Sequence, residues 1–324
     1  MRVLAGDIGG TTTRLAVIEI GLEGVQVLAE HHFSSRAAPG LVPFVQTFMA
    51  ETRLPADRAA FGIAGPVIDG ECRTPNLPWI VSARALEGEL KLPVRVLNDF
   101  AALGYGVGQL APEDLATLQE GVPDPRGPIA LIGAGTGLGQ GFVIKAGPRL
   151  EVWPSEGGHA NFAPRDETDW ALHRFLAARH GHVSCERVLS GPGLVDVYRF
   201  VVADSGHENP TVAAELEASN QPAAVISTHG LAGSDALCVR ALDIFVAAYG
   251  AQAGNLALTL LATGGVYVAG GIAPRILARL KTGPFLHGFR DKGRLSELAG
   301  RIPVHVVVSP RAGLIGAAVA ATQA

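Results

Sequence analysis

Cysteine, aromatic residues, charge and unbroken apolar runs are all scarce in this 324-residue chain, and each shortage removes a class of protein. Its three cysteines, Cys72, Cys185 and Cys238, stand far apart. They form neither a disulfide framework nor a C-x-x-C metal site, so a reducing, cytoplasmic setting is expected. Basic residues number 26 against 30 acidic ones, a net charge of −4 that lacks the basic excess of a nucleic-acid binder. Only 17% of residues are charged and 48% are hydrophobic, which excludes disorder and supplies material for sizeable cores. The long apolar stretch 256–272 is broken by Thr259, Thr263 and glycine pairs at 264–265 and 270–271. It reads as a buried helix and then a buried strand, with no membrane association. No basic region followed by an apolar core opens the chain, so no signal peptide is expected.

What the chain does have is glycine between strands. Asp7-Ile8-Gly9-Gly10-Thr11-Thr12-Thr13 lies between apolar runs at 3–5 and 15–18, which read as two strands joined by a tight turn. Glycines there let backbone N–H groups point at phosphate oxygens. Threonines add hydroxyl donors, and Asp7 is placed to hold a metal ion or its water. No lysine lies in the loop and no helix follows, which excludes a Walker-type P-loop. Taken alone, the stretch is equally an ordinary glycine-rich hairpin.

The plan then repeats. Strands are expected at 25–33, 59–64 and 94–97, with helices at 41–49 and from an N-cap at Ser82 through Leu90. The polar, proline-bearing stretch 110–127 marks a boundary. Beyond it, strand 129–132, the turn Gly133-Ala134-Gly135-Thr136-Gly137-Leu138-Gly139 and strands 141–145 and 150–153 repeat the opening. Two related halves are therefore expected, each opening on a phosphate-binding hairpin. Helices follow around 172–179, from an N-cap at Ser190, and over 237–248. A strand at 266–269 runs into Gly270-Gly271 and a helix from Pro274, and a last strand and helix occupy 304–308 and 313–320.

Several polar groups punctuate this frame. Asn98-Asp99 ends a buried strand ahead of a helical run at 100–105, where open α/β sheets place ligand groups. Asp99 reads either as the helix cap or as a carboxylate base with Asn98 as a substrate partner. Glu156-Gly157-Gly158-His159 could converge on a small polar ligand, although a lone His is more often structural. Glu186 could equally be a surface charge paired with Arg187. Gly270-Gly271 would let a planar base lie against the backbone, although a strand-helix turn needs glycine anyway.

The order of these features resembles the actin-like superfamily of sugar kinases and, more closely, the bacterial glucokinase family. The strings at 6–11, 97–100, 133–139, 154–159, 186–192 and 268–272, with Pro274 and Asp291-Lys292-Gly293-Arg294, carry the likeness over nearly the whole chain. It implies two related ribonuclease H-like α/β domains, 1–110 plus 302–324 and 111–301, with the active site in a cleft between them. It also implies ATP-dependent phosphorylation of D-glucose at the 6-hydroxyl, with Mg²⁺. Asp99 would be the catalytic base; Asn76, Asn98, Glu156, His159 and Glu186 would join it in binding the sugar. Asp7, Gly9, Gly10, Thr11, Thr12, Gly135, Thr136, Gly137, Gly270 and Gly271 would bind the nucleotide, with Asp7 also toward the metal. Homodimerisation is common in the family. Rival readings are a related kinase for mannose, fructose or an amino sugar, and a non-catalytic sensor, against which the retained Asp99 argues. The cysteine-rich zinc motif of the repressor/kinase group is missing, so no structural zinc is expected.

Overall fold

The computed structural model describes residues 1–22, 24–74, 77–147 and 149–323. They form two compact units. One holds Met1–Asp114, Val143–Pro154 and Ser309–Ala324; the other holds Leu115–Phe142 and Ser155–Val308.

The first unit opens on a meander of β1 (Arg2–Ile8), β2 (Thr12–Gly21) and β3 (Gly24–Ser34), then α1 (Leu41–Thr52) and β4 (Arg58–Ile63). A small antiparallel sheet of β5 (Val67–Ile68), β6 (Glu71–Arg73) and β7 (Ile80–Ser82) leads to α2 (Ala83–Leu90), β8 (Val94–Asn98) and α3 (Asp99–Gly106). The main sheet has the order β3-β2-β1-β4-β8, with β1, β4 and β8 parallel. Both faces of this sheet are covered, which is why β1 is a continuous apolar run rather than an alternating one. Leu4 and Ile8 pack with Phe44 and Phe48 of α1, whereas Val3 and Ala5 join the C-terminal helix.

A 3-10 turn, Pro112–Asp114, leads into β9 (Leu115–Gln119), β10 (Ile129–Ala134), β11 (Leu138–Ala146) and β12 (Arg149–Ser155). Helices α4 (Glu167–His180), α5 (Gly191–Ser205), α6 (Pro210–Ala218), α7 (Pro222–Ala232) and α8 (Ala236–Leu260) follow. The chain ends through β13 (Gly265–Ala269), α9 (Leu277–Leu280), α10 (Pro284–Arg290), α11 (Ser296–Arg301), β14 (Val304–Val307) and α12 (Ala312–Thr322). The second sheet has the order β12-β11-β10-β13-β14-β9. Without β9 it repeats the first sheet strand for strand: a meander, then two further parallel strands.

Four features depart from the sequence reading. The segment 115–119, read as boundary, is an edge strand paired antiparallel with β14. Because β14 pairs with β13 and β9, the chain passes back to the first unit at Ser309, not near 302. Ser82 precedes α2, but its side chain makes no capping hydrogen bond. After Gly271 the chain turns until Leu277, so the helix expected from Pro274 is four residues long. Helix α8 is long and apolar enough to cross a membrane, yet most of one such window is buried inside the protein. It packs against α10, where an added Cβ on Gly250 or Gly254 would overlap the carbonyls of Phe285 or Phe289.

Glycine also sets the distance between α3 and α12. A Cβ on Gly316 would overlap the Ala102 carbonyl, and one on Gly106 would lie 2.6 Å from the Ala312 oxygen. Gly316→Val should therefore destabilise the protein by roughly 2 kcal/mol or more through overpacking. In contrast, Gly88→Ala in α2 meets nothing within 4 Å and should stabilise by up to about 1 kcal/mol. Chemical denaturation of both variants checks the pair.

Candidate active site

The parallel strands of the first unit end side by side, and their C-terminal ends carry the chemistry. Asp7 on β1 is in register with Gly62 on β4, and Gly62 with Leu97 on β8, two residues before Asp99. Gly62 keeps this row low: a Cβ there would lie 2.9 Å from that of Ala102. The turn between β1 and β2 is braced by Ser35. Its N–H donates to the Thr11 carbonyl at 2.9 Å and its hydroxyl to the Gly9 carbonyl at 2.7 Å. The Gly9 N–H donates to the Thr12 carbonyl at 3.0 Å, while the side chains of Thr11 and Thr12 stay exposed.

Asp7 is desolvated, which pushes its carboxyl above the usual range; Arg14, with Nη1 3.7 Å from Oδ2, acts against this. Asp99 is pushed up to about 6, first by desolvation and further by the charge of Asp7. Hydrogen bonds from the Phe100 N–H and the Asn98 side chain oppose the rise. Asp99 is exposed at its surface, so the desolvation comes from the groups crowded around the carboxyl rather than from enclosure.

Asn98, not Asp99, caps α3. Its Oδ1 accepts from the N–H groups of Phe100 at 2.9 Å and Ala101 at 3.3 Å, and its Nδ2 donates to the Gly65 carbonyl at 2.9 Å. The amide thus ties the strand end to the first turn of α3, next to Asp99. Asn76 lies outside the described residues.

In the second unit, the turn after β10 is closed by the Gly135 N–H donating to the Gly137 carbonyl at 2.8 Å. Gly270, at φ +81, follows β13, and a Cβ there would sit 2.5 Å from the Ala134 oxygen. Gly135, Thr136 and Gly271 line one hollow of 740 Å³, together with Gly191, Pro192 and Ile272. Two motifs far apart in sequence thus share a single cavity. Gly137 instead abuts Glu186, whose Oε2 accepts the Leu138 N–H at 2.9 Å. Glu156 precedes and His159 ends a 3-10 turn, with Oε2 and Nε2 3.9 Å apart and both side chains exposed.

Two residues escaped the sequence reading. Tyr249, fully buried in α8, accepts the Ala134 N–H at 3.0 Å and lies 3.4 Å from the carbonyls of Ile132 and Ala269. It therefore ties together the strand ends from which both glycine turns spring. Gln140 is 4% exposed, packs beneath Gly157, and has an Nε2 without a hydrogen-bond partner. A tyrosine within an apolar helix and a glutamine after the glycine turn are visible as exceptions to the hydrophobic pattern, but their partners are not.

Among the described residues no group of three His, Cys, Asp or Glu side chains is disposed to hold a metal ion. The hard oxygens of Asp7, near the charge of Asp99, suit Mg²⁺, which takes one or two carboxylates and fills its shell with phosphate and water.

Duplicated sheets of this topology, each ending in a glycine turn, define a two-domain, actin-like sugar kinase. The crystal structure of glucokinase from an Antarctic psychrotroph superposes with a TM-score of 0.90 at 31% identity, covering 100% of this chain and 99% of that one. The family described as Glucokinase matches residues 4–324. Glucokinases from Nostoc sp. and Synechocystis sp. are 45% and 46% identical, over 99% of this chain and 99% and 98% of theirs. The chain belongs to the glucokinase family.

Tyr249→Phe leaves the buried Ala134 N–H without its partner, which should cost about 1–3 kcal/mol of stability. A denaturation midpoint equal to that of the unaltered protein would show that the hydroxyl does not brace the turn.

Proposed function

We propose that the protein transfers the γ-phosphoryl group of ATP to the 6-hydroxyl of glucose, giving glucose 6-phosphate. The observation that carries this reading is Asp99. It is a desolvated carboxylate beside a phosphate-binding hairpin, with a proton affinity raised to about 6, in a chain of the glucokinase family. At neutral pH it is mostly ionised and can accept a proton, and the raised value makes it a stronger base than an ordinary Asp.

The assignments follow the chemistry of each group. Asp99 orients the 6-hydroxyl and takes its proton as the oxygen bonds to phosphorus. Asn98 holds the helix start that aims Asp99. Glu156, His159 and Glu186 accept and donate hydrogen bonds to the remaining hydroxyls. The turn at Gly9, Gly10, Thr11 and Thr12 and the turn at Gly135, Thr136 and Gly137 offer N–H and hydroxyl donors to phosphate oxygens, while Gly270 and Gly271 leave room for adenosine. Asp7 would hold Mg²⁺, which neutralises phosphate charge in such transfers. Three free, buried cysteines fit a cytoplasmic enzyme.

Replacing Asp99 with Asn should lower turnover about 10² to 10⁴-fold. It should also raise thermal stability at neutral pH. A carboxyl whose pKa rises from 3.8 unfolded to about 6 folded contributes stability that is fully present below 3.8 and lost as pH rises through 6. The melting-temperature gain of Asp99→Asn should thus be largest at pH 8 and vanish near pH 4. A variant less stable than the parent at pH 8, or one retaining a tenth of its turnover, contradicts the assignment.

For the sugar ligands, His159→Ala and Glu186→Gln should raise the KM for glucose more than that for ATP. Glutamine at 186 still accepts the Leu138 N–H, so the hairpin is preserved. Unchanged glucose kinetics in both variants would leave these two side chains as structural groups.

A further inference from the structure

The start of β11 is the floor beneath the side chains assigned to the sugar in the second unit. The N–H of its first residue, Leu138, donates to Glu186 Oε2 at 2.9 Å. The same residue lies under the 3-10 turn: a Cβ on Gly158 would stand 2.1 Å from the Leu138 carbonyl oxygen and 3.2 Å from the Leu138 Cβ. Two residues on, and so on the same face of the strand, Gln140 lies under Gly157. A Cβ on Gly157 would stand 2.4 Å from Gln140 Oε1 and 3.2 Å from its Cδ. The two glycines therefore let the Glu156–His159 turn rest directly on β11.

Contacts beneath the turn are close, whereas the side chains it carries are free. Glu156 and His159 keep 94% and 63% of their side-chain surface open. The turn closes through the His159 N–H on the Glu156 carbonyl at 2.9 Å and the Ala160 N–H on the Gly157 carbonyl at 3.2 Å. The Gly157 N–H donates to the Ser155 hydroxyl at 3.1 Å. Each of these three acceptor oxygens has a second lone pair to offer.

Gln140 is a polar side chain between Leu138 and Val143, both buried, and is itself 4% exposed. Its Nε2 has no hydrogen-bond partner among the described residues. Burying an unpaired donor costs free energy that a methionine or leucine in the same place would not. Folded proteins pair nearly all such groups, and the exceptions fall at functional positions. Here the exception lies beneath the turn that presents Glu156 and His159.

We propose that Gln140 is a positioning residue for glucose: its amide donor takes an acceptor from the Glu156–His159 turn when the sugar draws that turn onto β11. The inference rests on the kinase reading above and on its assignment of Glu156 and His159 to the sugar. An ordinary hydrogen bond adds little, because its donor gives up a bond to water to form it. The Gln140 donor is already buried, so pairing it on sugar binding is a net gain that appears as affinity for glucose. ATP is assigned to the glycine turns, and its binding draws on none of this gain.

The test compares the full chain with Gln140→Met, which keeps the length and bulk of the side chain and removes the amide. Without ligand, Gln140→Met should melt at or above the temperature of the parent, since it buries no unpaired donor. Its dissociation constant for glucose, read by calorimetry without nucleotide, should rise by about fivefold or more. The KM for glucose should rise with it, by more than the KM for ATP rises and by more than kcat falls. A second reading uses the unaltered protein and the ¹⁵N NMR signals of the Gln140 side-chain amide. These are assigned by their loss in Gln140→Met, or in Gln140→Leu should the first variant fold poorly. They should shift and gain protection from exchange when glucose is added. A variant that melts below the parent overturns the inference, by showing the donor already paired before the sugar binds. Unchanged glucose affinity, an equal rise in the KM for ATP, or amide signals that glucose leaves unmoved overturn it too. All of these leave the kinase reading standing. No product from the unaltered protein with glucose and ATP removes that reading, and the inference with it.

Discussion

The organising constraint is the desolvation of two carboxylates at the ends of β1 and β8, the strands on either side of β4. Asp7 and Asp99 each hold their proton more tightly than a free side chain, and the charge of Asp7 adds to the rise at Asp99. Stability alone would not select this arrangement, since each ionised group is less well solvated than in the unfolded chain. Everything near them limits the penalty without abolishing it. Arg14 stands beside Asp7, the Phe100 N–H and Asn98 beside Asp99, and Gly62 and Gly313 leave room around the pair. A proton acceptor of raised basicity follows directly from this incomplete compensation.

Close backbone approach is the second theme, and it serves both stability and chemistry. Gly106 and Gly316 let α3 and α12 touch, which fixes the helix whose first residue is Asp99. Gly250, Gly254 and Gly288 do the same for α8 and α10, and α8 carries the Tyr249 hydroxyl to the strand ends of the second sheet. Packing without side chains between backbones thereby sets the positions of groups that must be held to a fraction of an ångström.

Local features were legible in the sequence, and long-range pairings were not. The two glycine-threonine turns, the apolar strands on either side and the Ser190 cap follow from neighbouring residues, so they could be read directly. Strand β9 could not, because its partner β14 lies nearly 190 residues away and prolines flank it as in a linker. The same distance hid the crossing at Ser309. Of the site, the residue types were visible and their partners were not. The hold of the Asn98 amide on α3 and Gly65, and the crowding around Asp99, depend on residues that the strand end itself does not announce. Glu186 could not be seen to hold the Leu138 N–H, since nothing in the chain between them announces the contact.

The central claim is that the fold itself raises the proton affinity of Asp99 before any substrate is present. The most direct measurement is a ¹³C NMR titration of the aspartate carboxyl resonances in the ligand-free protein, with Asp99→Asn used to assign the signal. The account predicts a midpoint for Asp99 of about 6, well above the ordinary 3.8. A midpoint at or below 4 would contradict it.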